Sequence, residues 1–237
     1  MADMTPRERV RAALDHREPD RVPVCIGGTG GKLTESRIEL LKAHFGIEGE
    51  VEPVLAGPQM MRLDNRVLDA LETDVRYIHM RPPGGFRTRE APGGGWYYDW
   101  GLIYREHPES KMYEYANQPL AGATVQDLES FDWPDARDPA RWAGMREEAE
   151  KLFTETDYAL VAYRPKYNGL MELCQVLRGA EQLFIDMALD PDFAMALFWK
   201  VGGVLREFYL AQLDAVGDLI EWVEMGDDLG SQGAPLI

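Results

Sequence analysis

The chain has 237 residues, of which 45% are hydrophobic and 28% charged, with 23 glycines and 15 prolines. That is enough material for one sizeable core and excludes a disordered or fibrous protein. Lys and Arg number 25 against 41 Asp and Glu, a formal charge of -16, so the mean field repels nucleic-acid backbones and anionic lipid surfaces while leaving room for a local basic pocket.

Thr5, Pro6 and Glu8 supply the N-cap, first-turn proline and third-position carboxylate of a capping box, so a first helix starts there and stops before Pro19. Arg21 to Ile26 (RVPVCI) reads as a short buried strand that runs into the glycine-dense turn Gly27-Gly28-Thr29-Gly30-Gly31-Lys32. A helix is predicted from Thr34 to about Phe45, and VLDALETDVRYIHM (67–80) gives a helix, a turn and a strand ending near His79 and Met80. From 81 to about 123, glycine and proline clusters alternate with Trp96, Tyr97, Tyr98, Trp100 and Tyr104, the pattern of an inserted hairpin or long loop. Trp96, Tyr98 and Trp100 share one face if the segment is extended, with core packing as their expected role.

Thr124 to Asp127 has capping-box spacing, and Asp138-Pro139 is expected to open a helix that carries Trp142, Met145, Ala149 and Leu152 on its apolar face. Tyr158 to Tyr163 (YALVAY) reads as a strand, 170–178 and 180–188 as helices, and Pro191 opens a helix of some 24 residues with apolar side chains at i, i+3 and i+4. Leu219 to Met225 closes the series as a strand. Helical patterns that repeatedly precede strands imply parallel crossover units. The expected fold is one α/β domain over 1–237 with an insert at about 81–123, a (β/α)8 barrel preferred to an open doubly wound sheet because polar motifs follow several separate strands. Only about four strands are visible, so the barrel is expected to be an incomplete N-terminal portion.

No run nears the roughly 18 apolar residues of a membrane span, and the N-terminus lacks an apolar signal region. Cys25 and Cys174 have no CxxC spacing, so a reduced, cytoplasmic protein without a membrane partner is expected. Cys25, inside an apolar run, is expected to be a buried small hydrophobe.

Among candidate site residues, Asp227 and Asp228 follow a strand in a turn-rich segment with Ser231 and Gln232. One carboxylate there can handle a proton while the other orients neighbours, the alternative being a capping turn. Gly28 and Lys32 belong to a loop that departs from GxxxxGK[ST] and GxGxxG, so close approach to a small ligand fits better than a phosphate cradle. His79 and Arg81 end one strand, and Arg164, Lys166, Tyr167 and Asn168 follow another, where they can present donors to a ligand or serve as turn and surface residues. No spacing indicates a metal site.

Three stretches, MTPRERVRAALDHREPDRVPV, GLMELCQVLRGAEQLFIDMALDP and GDDLGSQGAPLI, together resemble the uroporphyrinogen decarboxylase superfamily, in particular its bacterial branch of corrinoid-dependent methyltransferases and O-demethylases. The resemblance implies a (β/α)8 barrel with its site at the C-terminal strand ends, and a chain lacking about its last third. It implies methyl transfer between a small methylated substrate and a corrinoid protein, with zinc held by a His-x-Cys pair and a later Cys beyond residue 237. Asp227 and Asp228 match the branch's Gly-Asp-Asp motif, and Tyr167 lies near the family's active-site tyrosine. The alternative is a cofactor-free decarboxylase of porphyrin biosynthesis. Against it, Gly28 and Lys32 stand where two substrate-binding arginines are expected, and Arg81 stands where the catalytic aspartate is. A homodimer buried through the aromatic insert is compatible with the sequence, as is a monomer in which the insert serves as a lid.

Overall fold

A computed structural model describes residues 3–28, 33, 35–49, 52–53, 61–84, 90–109, 113–165 and 169–235. In chain order the helices are α1 (Pro6–Leu14), α2 (Glu35–Phe45), α3 (Asn65–Ala70), α4 (Val125–Ser130), α5 (Pro139–Trp142), α6 (Met145–Glu155), α7 (Leu170–Arg178), α8 (Ala180–Leu189) and α9 (Pro191–Val216). The strands are β1 (Glu52–Pro53), β2 (Met61–Arg62), β3 (Val75–Ile78), β4 (Trp96–Tyr97), β5 (Ile103–Glu106), β6 (Tyr113–Tyr115), β7 (Ala159–Ala162) and β8 (Trp222–Val223). The chain divides into two compact units, the first made of 1–84, 138–165 and 211–224, the second of 85–137, 166–210 and 225–237.

The first unit is built on a parallel sheet ordered β3-β7-β8. Val75 to Ile78 pair with Ala159 to Ala162, and Val161 and Ala162 pair with Trp222 and Val223. All four residues of β7 are fully buried, as a strand must be when covered on both faces. One face packs Ile78 and Ala162 against Met145, Ala149 and Val216, and the other packs Val75, Ala159 and Val161 against Val10 of α1. Helix α1 begins where the sequence places it: the Thr5 hydroxyl accepts from the Glu8 amide and the Glu8 carboxylate accepts from the Thr5 amide.

Four expectations for this unit are corrected. Arg21 to Ile26 is not a strand. Its backbone is tied to the start of β3, the Val24 amide donating to Asp74 Oδ2 at 2.7 Å and the Asp74 amide to the Val24 carbonyl at 2.8 Å. Asp74 is fully buried and also receives Arg9 at 2.6 Å and Arg21 at 2.7 Å. Cys25 is accordingly exposed and not buried in a strand. The helix expected from Asp138 is two helices, because Gly144 adopts φ 76° between α5 and α6, a left-handed turn that ends a helix. The strand expected over 219–225 shortens to Trp222–Val223.

In the second unit the insert forms an antiparallel sheet, β4-β5-β6. Gly93, Gly94 and Gly95 all take positive φ, and at Gly95, φ 93°, any Cβ would also collide with the Tyr104 carbonyl oxygen. The shared face expected for Trp96, Tyr98 and Trp100 does not form, since Asp99–Gly101 is a 3-10 turn in which Trp100 has φ 69°. Trp100 is instead a core residue, 2% exposed, edge-on to Trp133 at 6.0 Å and stacked on Phe208 at 6.4 Å. Helix α4 has the expected Thr124 and Asp127 capping box. Helices α7 and α8 meet at Gly179, φ 95°, and are locked by Arg178, which pairs with Asp186 at 2.7 Å and donates to the carbonyls of Leu120, Ala121 and Ala123. Among the described residues no helix is long and apolar enough to cross a membrane.

Candidate functional site

Parallel strands place the residues that follow them on one edge of the sheet, and such edges are where α/β folds collect ligand-binding side chains. In the first unit, Tyr77 and His79 stand at the end of β3, Tyr163 and Arg164 follow β7, and Glu224 follows β8. Two backbone bonds carry the ladder past the strands and fix these positions, Tyr163 N–H to the Ile78 carbonyl at 2.9 Å and Glu224 N–H to the Ala162 carbonyl at 3.0 Å.

The rings assemble around Tyr163, which is 3% exposed. Its ring centroid lies 4.8 Å from His79 and 5.8 Å from Tyr77, the latter edge-on at 77°, within the range of favourable aromatic contacts. The Tyr77 hydroxyl lies 3.0 Å from Cys25 Sγ. Gly28 completes the group. A Cβ there would overlap the Tyr77 hydroxyl and stand 2.8 Å from Glu224 Oε1, so only glycine lets the backbone reach both groups.

Burial dominates the acid–base character of this group. It pushes the Tyr163 phenol up to about 12, with the neighbouring Arg164 cation opposing and Glu224 reinforcing. It also raises the Tyr77 phenol, reinforced by Cys25 and Glu224. Both tyrosines are therefore neutral hydrogen-bond donors at neutral pH. The Cys25 thiol is pushed up by desolvation of its sulfur, although the residue as a whole is exposed, and the Tyr77 hydrogen bond acts in the opposite direction. It is a thiol and not a thiolate nucleophile at neutral pH. Two neutral phenols, an imidazole, a carboxylate and a buried guanidinium on one strand edge can orient a small polar molecule and exchange a proton with it.

The structure brings Gly28 and His79 into this group. Arg81 turns away: its amide donates to the Arg141 carbonyl at 2.7 Å, and its guanidinium lies 3.2 Å from where a Gly144 Cβ would stand. Lys32, Tyr167 and Asn168 lie outside the described residues. The sequence reading passed over Tyr77, Tyr163 and Glu224. The available signal was simple, a polar side chain directly after an apolar strand run, as in Ala162-Tyr163 and Val223-Glu224.

In the second unit, Asp227 accepts the Met171 and Glu172 amides at 2.7 and 2.9 Å and the Asp228 amide at 3.0 Å. Helix α7 has Gly169 as its N-cap and no side-chain cap of its own, so Asp227 supplies one from a distant part of the sequence, satisfying orphan amides and opposing the helix dipole. Any Cβ on Gly169 would collide with Asp227. Asp228 and Gln232 are exposed. Beside Asp227 lies a largely apolar groove of about 600 Å³ lined by Leu170, Gly202, Leu205, Tyr209 and Met225. Among the described residues no three His, Cys, Asp or Glu side chains converge as a metal site.

The chain is similar in structure to a methyltransferase from Methanosarcina mazei, with a TM-score of 0.58 and 16% identity over 98% of this chain. It spans 62% of that protein's length. The similarity establishes a shared mixed α/β fold. No family model matches the chain, and no curated protein matches it in sequence.

Proposed function

We propose that this chain forms part of a methyl-transferring enzyme of the uroporphyrinogen decarboxylase type, a (β/α)8 barrel that moves a methyl group between a small methylated substrate and a corrinoid protein. The observation that carries the reading is the fold likeness to a methyltransferase across 98% of the chain, joined to a polar cluster at the ends of β3, β7 and β8.

The corrinoid would supply the methyl-carrying metal centre from a partner protein. The zinc implied by the family resemblance belongs, in this reading, to ligands beyond residue 237. The chain's own side chains bind and orient substrate. Tyr77 and Tyr163, both held neutral, donate hydrogen bonds to a substrate oxygen or nitrogen. Glu224 accepts a substrate proton or hydrogen bond, and His79 positions the ring of Tyr163. In the second unit Asp227 holds the N-terminus of α7, and a ligand role for Asp228 rests on the family resemblance. Ligand-binding roles for Lys32, Tyr167, Asn168 and Gln232 rest on the family resemblance alone.

The test is spectroscopic. The purified protein is incubated with methylcobalamin and a panel of small thiols, and with cob(I)alamin and small methyl ethers and amines, while the corrinoid absorbance is followed. Methyl exchange above the protein-free rate is expected. No exchange, together with CO2 release from a porphyrinogen, would replace methyl transfer with decarboxylation.

A further inference from the structure

Three buried arginines of the described residues pair with carboxylates. Arg9 reaches Asp20 and Asp74. Arg76, 1% exposed, reaches Asp69 and lies 3.5 Å over the Tyr158 ring. Arg178, 8% exposed, reaches Asp186. Arg164 differs. It is 5% exposed, its cation favours the ionised form of the neighbouring Tyr163 phenol, and its Nε, like that of Arg76, is buried without a hydrogen-bond partner. No ion pair joins it to any carboxylate of the described residues.

A guanidinium out of water without a counter-charge is costly, because desolvation is not offset by Coulombic attraction. Among the described residues Arg9, Arg76 and Arg178 have carboxylate partners, whereas Arg164, which has none, stands at the C-terminal end of β7, the central strand of the parallel sheet. That edge is where ligands approach such sheets. Arginine's planar fork of donors matches a carboxylate or a phosphate. The charge of -16 disfavours polyanions, but a small anion responds to the local cation.

We propose that Arg164 is the recognition point for the carboxylate or phosphate group of a small ligand bound at the C-terminal edge of β7. The site is defined by binding and does not depend on methyl transfer being the reaction.

Acetate and inorganic phosphate serve as probes, titrated at constant ionic strength against sodium chloride, with melting temperature and calorimetric binding as readouts. The wild-type protein is stabilised by at least one oxyanion over chloride. Acetate alone identifies a carboxylate ligand and phosphate alone a phosphorylated one. In Arg164→Met the affinity falls about tenfold or more, the scale of one charge-assisted hydrogen bond, and Arg164→Lys retains part of it. Without anion, Arg164→Met melts at or above wild type, because an unpaired buried charge has gone. The proposal is overturned if neither oxyanion stabilises wild type beyond chloride, if Arg164→Met binds as wild type does, or if Arg164→Met fails to fold or melts well below wild type, which would make Arg164 structural.

Discussion

Asp74 is the point at which α1, the 21–26 segment and β3 are joined, and replacing it with Ala is the sharpest structural perturbation available. Its carboxylate is fully buried and accepts Arg9 at 2.6 Å, Arg21 at 2.7 Å and the Val24 amide at 2.7 Å. Asp74→Ala leaves the Val24 amide unsatisfied and removes the counter-charge of Arg9, which keeps only Asp20 at 2.5 Å. Breaking a buried pair from one side costs about 3–5 kcal/mol. For a chain of this size each kcal/mol lowers the melting temperature by about 2–4 °C, so the variant should melt about 6–20 °C below wild type in calorimetry. Asp74→Asn, which keeps an acceptor for Val24, should fall between the two. An Asp74→Ala variant melting within about 2 °C of wild type would refute the claim that this carboxylate holds the 21–28 segment against β3.

Three further outcomes follow from the geometry. Asp227→Ala should destabilise the protein by about 0.5–2 kcal/mol, as loss of a helix cap does, while Asp227→Asn should recover most of that in urea unfolding. Asp138 is held below its ordinary value by the Ala140 amide and then by the Gly84 amide. Its stabilisation is thus complete above the unfolded value near 4 and lost as pH falls through the folded value. The melting-temperature gap between wild type and Asp138→Asn should be constant from pH 5 to 7 and close below about pH 4. For Cys25, alkylation by iodoacetamide should be slow at pH 7 and quicken as pH rises, because burial pushes the thiol up. Tyr77→Phe removes the hydrogen bond that favours the thiolate and should slow it about threefold, while Glu224→Gln should speed it, as followed by mass spectrometry.

Local chemistry was the legible part of the fold. The capping residues Thr5 and Thr124 and the long apolar stripe of α9 act through neighbours three or four residues away, and the helices stand where those signals put them. The parallel order of β3 and β7 followed from the intervening helical pattern. What failed depended on distant partners. Arg21 to Ile26 has a strand-like composition, but its polar contacts go to Asp74, some fifty residues on. For Asp227, where a site role and a capping turn were both open, the three hydrogen bonds that cap α7 and order its own turn come from a helix that no local pattern connects to it. Gly28 and His79 were visible as strand-end and turn residues, yet the ring cluster around Tyr163 depends on the β3–β7 register, which alternation alone does not set.

The most direct test of the account is corrinoid methyl exchange by Glu224→Gln beside wild type. The substitution keeps the shape of the side chain and removes its charge at the strand edge. If the edge of β3, β7 and β8 is where substrate sits, exchange falls by about a hundredfold or more with the melting temperature unchanged. Exchange within twofold of wild type in a folded Glu224→Gln protein would contradict it and move the site elsewhere.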